Sequence, residues 1–157
     1  MRTDNRNVKN TVVSIYVLLI VFGILMIVLS KSLEFFVDYT FFIILGLFVV
    51  LVLFHSVAGY FEYDSDGAKI MILNRGLILT EYINYREKKV EFARQDLIGF
   101  EINNYILYKS IVILIKAYDG SKVREQFNVT LLKSKKLKYV KQSLSKTIKA
   151  NRKLKQG

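Results

Sequence analysis

The residues of this chain best suited to chemistry are cationic, and they are crowded at one end. From Leu131 to Gly157 there are 10 basic residues and no acidic one, whereas Tyr60 to Thr130 holds 10 of each sign. Nearly all of the net charge of +11 therefore sits in the last 27 residues. Lys133, Lys135, Lys136, Lys138, Lys141, Lys146, Lys149, Arg152, Lys153 and Lys155 flank Leu137, Val140, Leu144 and Ile148, which recur at helical spacing. A row of this kind can hold a polyanion, and beside a membrane the nearest one is anionic lipid. A solvated helix face accounts for the same pattern, and both readings stay open. Nucleic acid is disfavoured, because Tyr139 is the only aromatic residue in this C-terminal stretch and no base-reading element accompanies it. Arg86, Lys88 and Lys89 form a second anion candidate in an expected turn. Glu87 dilutes it, and an ordinary exposed hairpin turn is the simpler account.

Little else in the chain is suited to catalysis. With no cysteine there is no disulfide, thiolate site or thiol nucleophile. His55 is the single histidine, so it has no histidine or cysteine partner for a metal. Asp64 and Asp66 are a close carboxylate pair, but they fall in a turn. Gly67, Gly76, Gly99 and Gly120 are isolated glycines and form no phosphate-cradling loop. No nucleophile elbow, triad or metal motif is present. The expectation is a protein without enzymatic activity, cofactor or metal.

The elements that must position these charges begin with two apolar runs, Thr11 to Leu29 and Thr40 to Ala58. Each is 19 residues long and free of charge until His55. A hydrocarbon core of roughly 30 Å takes about 20 apolar residues of helix to cross. The expectation is a transmembrane hairpin over 11–58, with a short extracytoplasmic loop at 30–39 and a tail at 1–10. The first run is longer than a signal-peptide core and no clear cleavage site follows it, so both runs are expected to be retained. Arg2, Arg6 and Lys9 precede the first run, Lys31 alone lies in the loop, and the remaining basic residues follow the second run. The positive-inside rule then places both termini in the cytoplasm. Aromatic residues at Phe35, Phe36, Tyr39, Phe41 and Phe42, and again at Tyr60, Phe61 and Tyr63, match the two interfaces. His55, one turn from the inner boundary, is a candidate functional group that can equally reach the interface beside Ser56. Gly23 and Gly46 allow close helix approach within the hairpin.

From Tyr60 the apolar period changes from helical to strand-like. Strands are expected over about 60–63, 68–73, 77–84, 90–92, 97–103, 110–118 and 123–129. The turns between them lie at Asp64-Ser65-Asp66-Gly67, Asn74-Arg75-Gly76, Arg86-Glu87-Lys88 and Asp119-Gly120. Glu125 interrupts the apolar face of the last strand and reads as an edge or barrel-mouth residue. A helix follows over about 135–152, with Ser134 as a plausible N-cap. The fold class is a membrane helical hairpin joined to an α+β or all-β domain at 60–157. Seven antiparallel strands closed by one amphipathic helix give the pattern of a pleckstrin-homology-like (PH-like) split barrel.

The segment Arg86-Glu87-Lys88-Lys89-Val90-Glu91-Phe92-Ala93-Arg94-Gln95-Asp96-Leu97-Ile98-Gly99-Phe100-Glu101-Ile102 resembles the core of bacterial PH-like domains. These carry a basic turn, a short strand, and a polar-Asp-apolar step into the next strand. A hairpin placed before such a domain is similar to bacterial membrane-anchored PH-like proteins, including the YcxB-like group. The resemblance implies a multi-pass protein of the bacterial inner (cytoplasmic) membrane. The phosphoinositide pocket of eukaryotic PH domains does not carry over, because the acidic first turn at Asp64–Asp66 would repel a phosphate. The expected function is a non-enzymatic, membrane-anchored interaction module that binds a protein partner or its own copies at the cytoplasmic face. Two alternatives stay open: an anionic-lipid sensor acting through the basic helix, and an accessory subunit of a larger transport or secretion complex. Fold alone does not choose among them.

Overall fold

The computed structural model describes residues 1–32, 37–77 and 87–154. It divides the chain into two compact units, one of Met1–Arg6 with Gly59–Gly157, the other of Asn7–Ala58. The second unit is helical and holds most of α1 (Arg6–Ser32) and α2 (Val37–Val57). In α1, Val17, Leu18, Ile20 and Val21 are more than half exposed. Such a surface is unfavourable in water, and core helices of soluble proteins hide it. Among the described residues one helix is long and apolar enough to cross a membrane, Arg6–Ser30, while the apolar part of α2, Phe41–His55, is shorter. The rings of Tyr16 and Phe54 pack 5.7 Å apart, which joins the start of α1 to the end of α2.

The first unit is α+β. Its strands are β1 (Arg2–Asp4), β2 (Gly59–Asp64), β3 (Lys69–Gly76), β4 (Lys88–Ala93), β5 (Leu97–Asn104), β6 (Lys109–Lys116) and β7 (Lys122–Asn128), and α3 (Ser134–Leu154) follows. They form two antiparallel sheets, ordered β1-β2-β3-β4 and β5-β6-β7, joined by a short 3-10 turn at Arg94–Asp96. Among the described residues the sheets do not close into a barrel. Strand alternation decides what faces inward. Phe61 and Tyr63 of β2, Ile70 and Ile72 of β3, Ile111 and Ile113 of β6, and Phe127 of β7 are fully buried in one core. Two of the hairpin turns, β2–β3 and β6–β7, use glycine where the backbone needs a positive φ, at Gly67 and Gly120 (both +85°). In the second, the Asp119 carboxylate accepts from both the backbone N–H and the hydroxyl of Ser121, which holds its pKa below the usual carboxylate value.

Several expectations are corrected here. The tail expected at the N-terminus supplies β1, which pairs with β2 through Thr3↔Tyr63. Three residues with no apolar alternation carry no strand signal, and it is the open edge of β2 that recruits them. Asn74-Arg75-Gly76, expected as a turn, ends β3 instead. The Asn74 amide donates to the carbonyls of Tyr60 (2.8 Å) and Asn128 (3.1 Å) and accepts from the Asn128 N–H (2.9 Å), so its side chain bonds between strands rather than turning the chain. Lys88 and Lys89, expected in a turn, open β4 opposite Asn74 and Leu73. The sixth strand stops at Lys116, short of Tyr118. The strand expected over 77–84 lies outside the described residues beyond Leu77, as do Arg86 and Lys155.

Candidate interaction surface

The C-terminal helix begins at Ser134 and presents the expected stripe. Val140 and Leu144 are fully buried, and Leu137 and Ile148 pack against the same core. Burial of an aliphatic side chain contributes about 1.5–3 kcal/mol, so these four residues fix which face turns outward. Polar contacts hold the helix along its length. Near its start the Lys136 ammonium donates to the Asp4 carbonyl (2.5 Å) and lies 3.6 Å from the Asp4 carboxylate. In the middle, the buried Tyr63 hydroxyl donates to Ser143 Oγ (2.9 Å). Near its end the Asn151 amide donates to the carbonyls of Arg94 (2.7 Å) and Leu97 (3.0 Å).

The opposite face is cationic. Lys135, Lys138, Lys141, Lys146, Lys149, Arg152 and Lys153 are exposed, and Lys133 is exposed just before the helix. Among the described residues none of these eight has a carboxylate within 4 Å. Neighbours at i, i+3 such as Lys138 and Lys141 lie about 5–6 Å apart, within one Debye length, so they repel unless an anion joins them. Lys136 is the exception in the predicted set, since its engagement with Asp4 withdraws it from the outward row. A groove of about 800 Å³ runs beside α3. Ile102 of β5 and Leu137 give it an apolar floor, and Lys138, Lys141, Lys146 and Lys149 give it a cationic rim. The arrangement suits an anionic segment that also carries apolar side chains.

Of the second predicted anion site, Lys88 and Lys89 lie in β4, and Arg86 is outside the described residues. The Lys88 ammonium sits 2.5 Å from the Glu125 carboxylate, donates to the Gln126 carbonyl and lies over the Phe127 ring (5.2 Å). It links β4 to β7, and Glu125 is its partner there. Lys89 is exposed on β4. Asp64 and Asp66 shape their own turn, with the Asp66 N–H donating to Asp64 Oδ1 (2.8 Å), while the Met1 ammonium pairs with Asp66. His55 stands edge-on to the Tyr16 ring at 6.5 Å, within the helical unit.

Two features carried no sequence expectation. Glu62, with 8% of its side chain exposed, accepts from Arg2 Nε (2.7 Å) and from the Tyr60 hydroxyl (2.9 Å). Its hydrogen bond with Arg2, and then its charge, raise the Arg2 pKa. Burial, with the bond to Glu62, pushes the Tyr60 phenol up to about 12. The Arg75 guanidinium covers the Tyr60 ring at 4.7 Å. Arg2 and Glu62 are too far apart in sequence for any local pattern to pair them. The other feature is the β5–β6 connection at Tyr105–Tyr108, whose Ile106 and Leu107 project into solvent. An apolar Tyr-Ile-Leu-Tyr run at a hairpin tip, without Gly or Asn, was the readable signal. Neither family models, nor curated protein sequences, nor solved structures yield a match to this chain.

Proposed function

We propose that the chain is a non-enzymatic, membrane-anchored interaction module whose α3 groove takes an acidic protein segment at the cytoplasmic face of a bacterial inner membrane. The observation that carries this reading is the groove itself, with Ile102 and Leu137 beneath a rim of four lysines that have no carboxylate partner among the described residues. A wholly solvated cationic face needs no apolar floor, and a flat lipid surface does not require a groove.

In this reading α1 and α2 cross the bilayer as a hairpin. The pairing of β1 with β2 supports an even number of crossings, because the chain leaves one sheet at Arg6 and returns to it at Gly59. Loop and flank charges support a cytoplasmic position for that sheet. The order of two antiparallel sheets followed by one helix supports a PH-like domain of the bacterial membrane-anchored type.

Anionic lipid is the second reading, and the position of Lys133 and Lys135 favours it for one end of the helix. They lie beside the Lys136–Asp4 contact, where the chain passes into α1. A 21-residue helix is about 31 Å long, several Debye lengths, so Lys149 and Arg152 can lie beyond the reach of a leaflet that Lys133 touches.

A photocrosslinking residue at Lys141 in the full chain, activated in native membranes, separates the readings. The proposal expects a protein adduct that fades with salt and is lost in Lys138→Glu/Lys149→Glu. Adducts to lipid alone would replace it with the lipid reading.

A further inference from the structure

The β5–β6 hairpin turns at a tip that its local structure does not explain. Asn104 pairs with Lys109, and the Tyr105 N–H donates to the Tyr108 carbonyl (2.8 Å), which leaves Ile106 and Leu107 as a two-residue loop. Such loops favour Asn-Gly or Gly-containing pairs, because the backbone there calls for residues that tolerate positive φ. Aliphatic side chains bring no turn-forming advantage at this position. They bring no core packing either, since Ile106 is fully exposed and Leu107 is 68% exposed. The flanking Tyr105 and Tyr108 rings stack at 6.4 Å, which gives the tip a firm aromatic base.

The tip lies at a particular end of the sheet domain. Lys109 is tied to the end of β7, donating its N–H to Thr130 Oγ1 (2.9 Å) and accepting from the Val129 N–H (2.9 Å). Ser110 pairs with Asn128. The side chain of Asn128 lies against Gly59, where a Cβ would approach its Nδ2 to 3.1 Å. The Gly59 carbonyl in turn accepts from the Asn5 amide (2.8 Å). Gly59 and Asn5 adjoin the two points at which the chain passes into the apolar helical segment. The loop therefore shares an end of the domain with both of those points, whereas Tyr118 marks the other end of β6.

We infer that Ile106 and Leu107 insert into the interfacial region of the bilayer, with Tyr105 and Tyr108 at headgroup level and Lys109 able to meet lipid phosphates. Apolar tip, aromatic collar and basic base follow the polarity gradient of a membrane interface. This inference rests on the membrane anchoring proposed above and on no property of the α3 groove. Insertion would give the domain a third attachment besides its two covalent links, and so limit its rotation over the membrane.

The chain has no tryptophan, so a single introduced one reports alone. Ile106→Trp, Leu107→Trp, Tyr118→Trp and Phe48→Trp would each be reconstituted as the full chain in vesicles of phosphatidylethanolamine and phosphatidylglycerol, with and without bromine on the acyl chains. The expected result is blue-shifted emission and loss of most of the signal to bromine at positions 106, 107 and 48, with water-like, bromine-insensitive emission at 118. Quenching at 48 with water-like emission at 106 and 107 would overturn the loop assignment and leave the anchor standing. No quenching at 48 would overturn the anchor, and the loop assignment with it. Shielding of 106 from acrylamide without bromine quenching would mark a protein contact and overturn membrane insertion.

Discussion

Asn5 and Phe61 are joined in both directions: the Asn5 N–H donates to the Phe61 carbonyl (3.2 Å), and the Phe61 N–H donates to Asn5 Oδ1 (2.9 Å). The Asn5 amide also reaches the Gly59 carbonyl (2.8 Å). A buried side chain thus continues the β1–β2 ladder one step past Asp4, at the last position before α1. It fastens together the two stretches of chain that lead into the apolar segment.

Asn5→Ala would leave the Phe61 N–H and the Gly59 carbonyl without these partners. A buried unpaired backbone group costs about 1–3 kcal/mol. The expected result is a domain destabilised by about that amount, with amide exchange at Phe61 rising before exchange at Ile111. Unchanged exchange at Phe61 would show that the clamp contributes nothing.

The two sheets are bridged in two chemically different ways, and they should differ in strength. Asn74 engages three backbone groups of β2 and β7, all partly or fully removed from water. Lys88 and Glu125 form an ion pair with side chains 44% and 24% exposed. Truncating neutral bonds to sheltered backbone leaves those groups unpaired at about 1–3 kcal/mol, whereas exposed ion pairs are worth about 0–1 kcal/mol. Asn74→Ala is expected to cost about 2–3 kcal/mol, and Glu125→Gln less than about 1 kcal/mol. Denaturant midpoints of the two variants in mild detergent provide the check, and equal losses would contradict this ordering.

Tyr60 supplies a pH dependence. Its phenol titrates at about 12 in the fold, against about 10 in an unfolded chain. Between these values the unfolded state has released the proton and the native state has not, so unfolding is favoured as pH rises. The contribution of Tyr60 is complete below about pH 10 and lost as pH passes the folded value. Phenolate absorbance of the native chain minus that of Tyr60→Phe should show one tyrosine ionising late. Glu62→Gln should move it earlier. A difference curve centred near the ordinary tyrosine value would remove the effect.

What could be read from the sequence followed periodicity. Leu137, Val140, Leu144 and Ile148 mark α3 because helical spacing is local. Val123, Glu125 and Phe127 alternate as β7 does, and Asp119-Gly120 turns where expected. The interruption at Glu125 was visible, but its partner Lys88 was not, because sheet pairing joins residues at distances no window spans. Asn74 misled for a related reason: an Asn two residues before Gly favours a turn until distant backbone groups claim its amide. The exposed lysine row on α3 was legible from charge asymmetry, whereas the contact of Lys136 with Asp4 was not, because Asp4 is distant in sequence. The tip at Ile106 and Leu107 went unread because apolar residues between strands were assigned to neither.

The α3 groove should depend separately on its charges and on the seating of the helix. Asn151 holds the end of α3 to the carbonyls of Arg94 and Leu97, whereas Lys138 and Lys141 are exposed and lie about three turns earlier in the helix. Asn151→Ala removes bonds that are partly open to water, a loss of about 1 kcal/mol, and should raise amide exchange in the last two turns of α3 while leaving the turn at Tyr139–Gln142 protected. Lys138→Glu/Lys141→Glu should leave exchange throughout α3 unchanged, because exposed substitutions away from caps and contacts shift stability by only about 0.5 kcal/mol. Recognition of an acidic segment should follow the reverse order: lost with the two charge reversals, and only weakened by Asn151→Ala. If the charge reversals instead loosened the helix, the lysines would belong to the fold rather than to a binding surface. If neither variant altered crosslinking from a photocrosslinking residue at Gln142, which also lines the groove, the groove would have no acidic occupant.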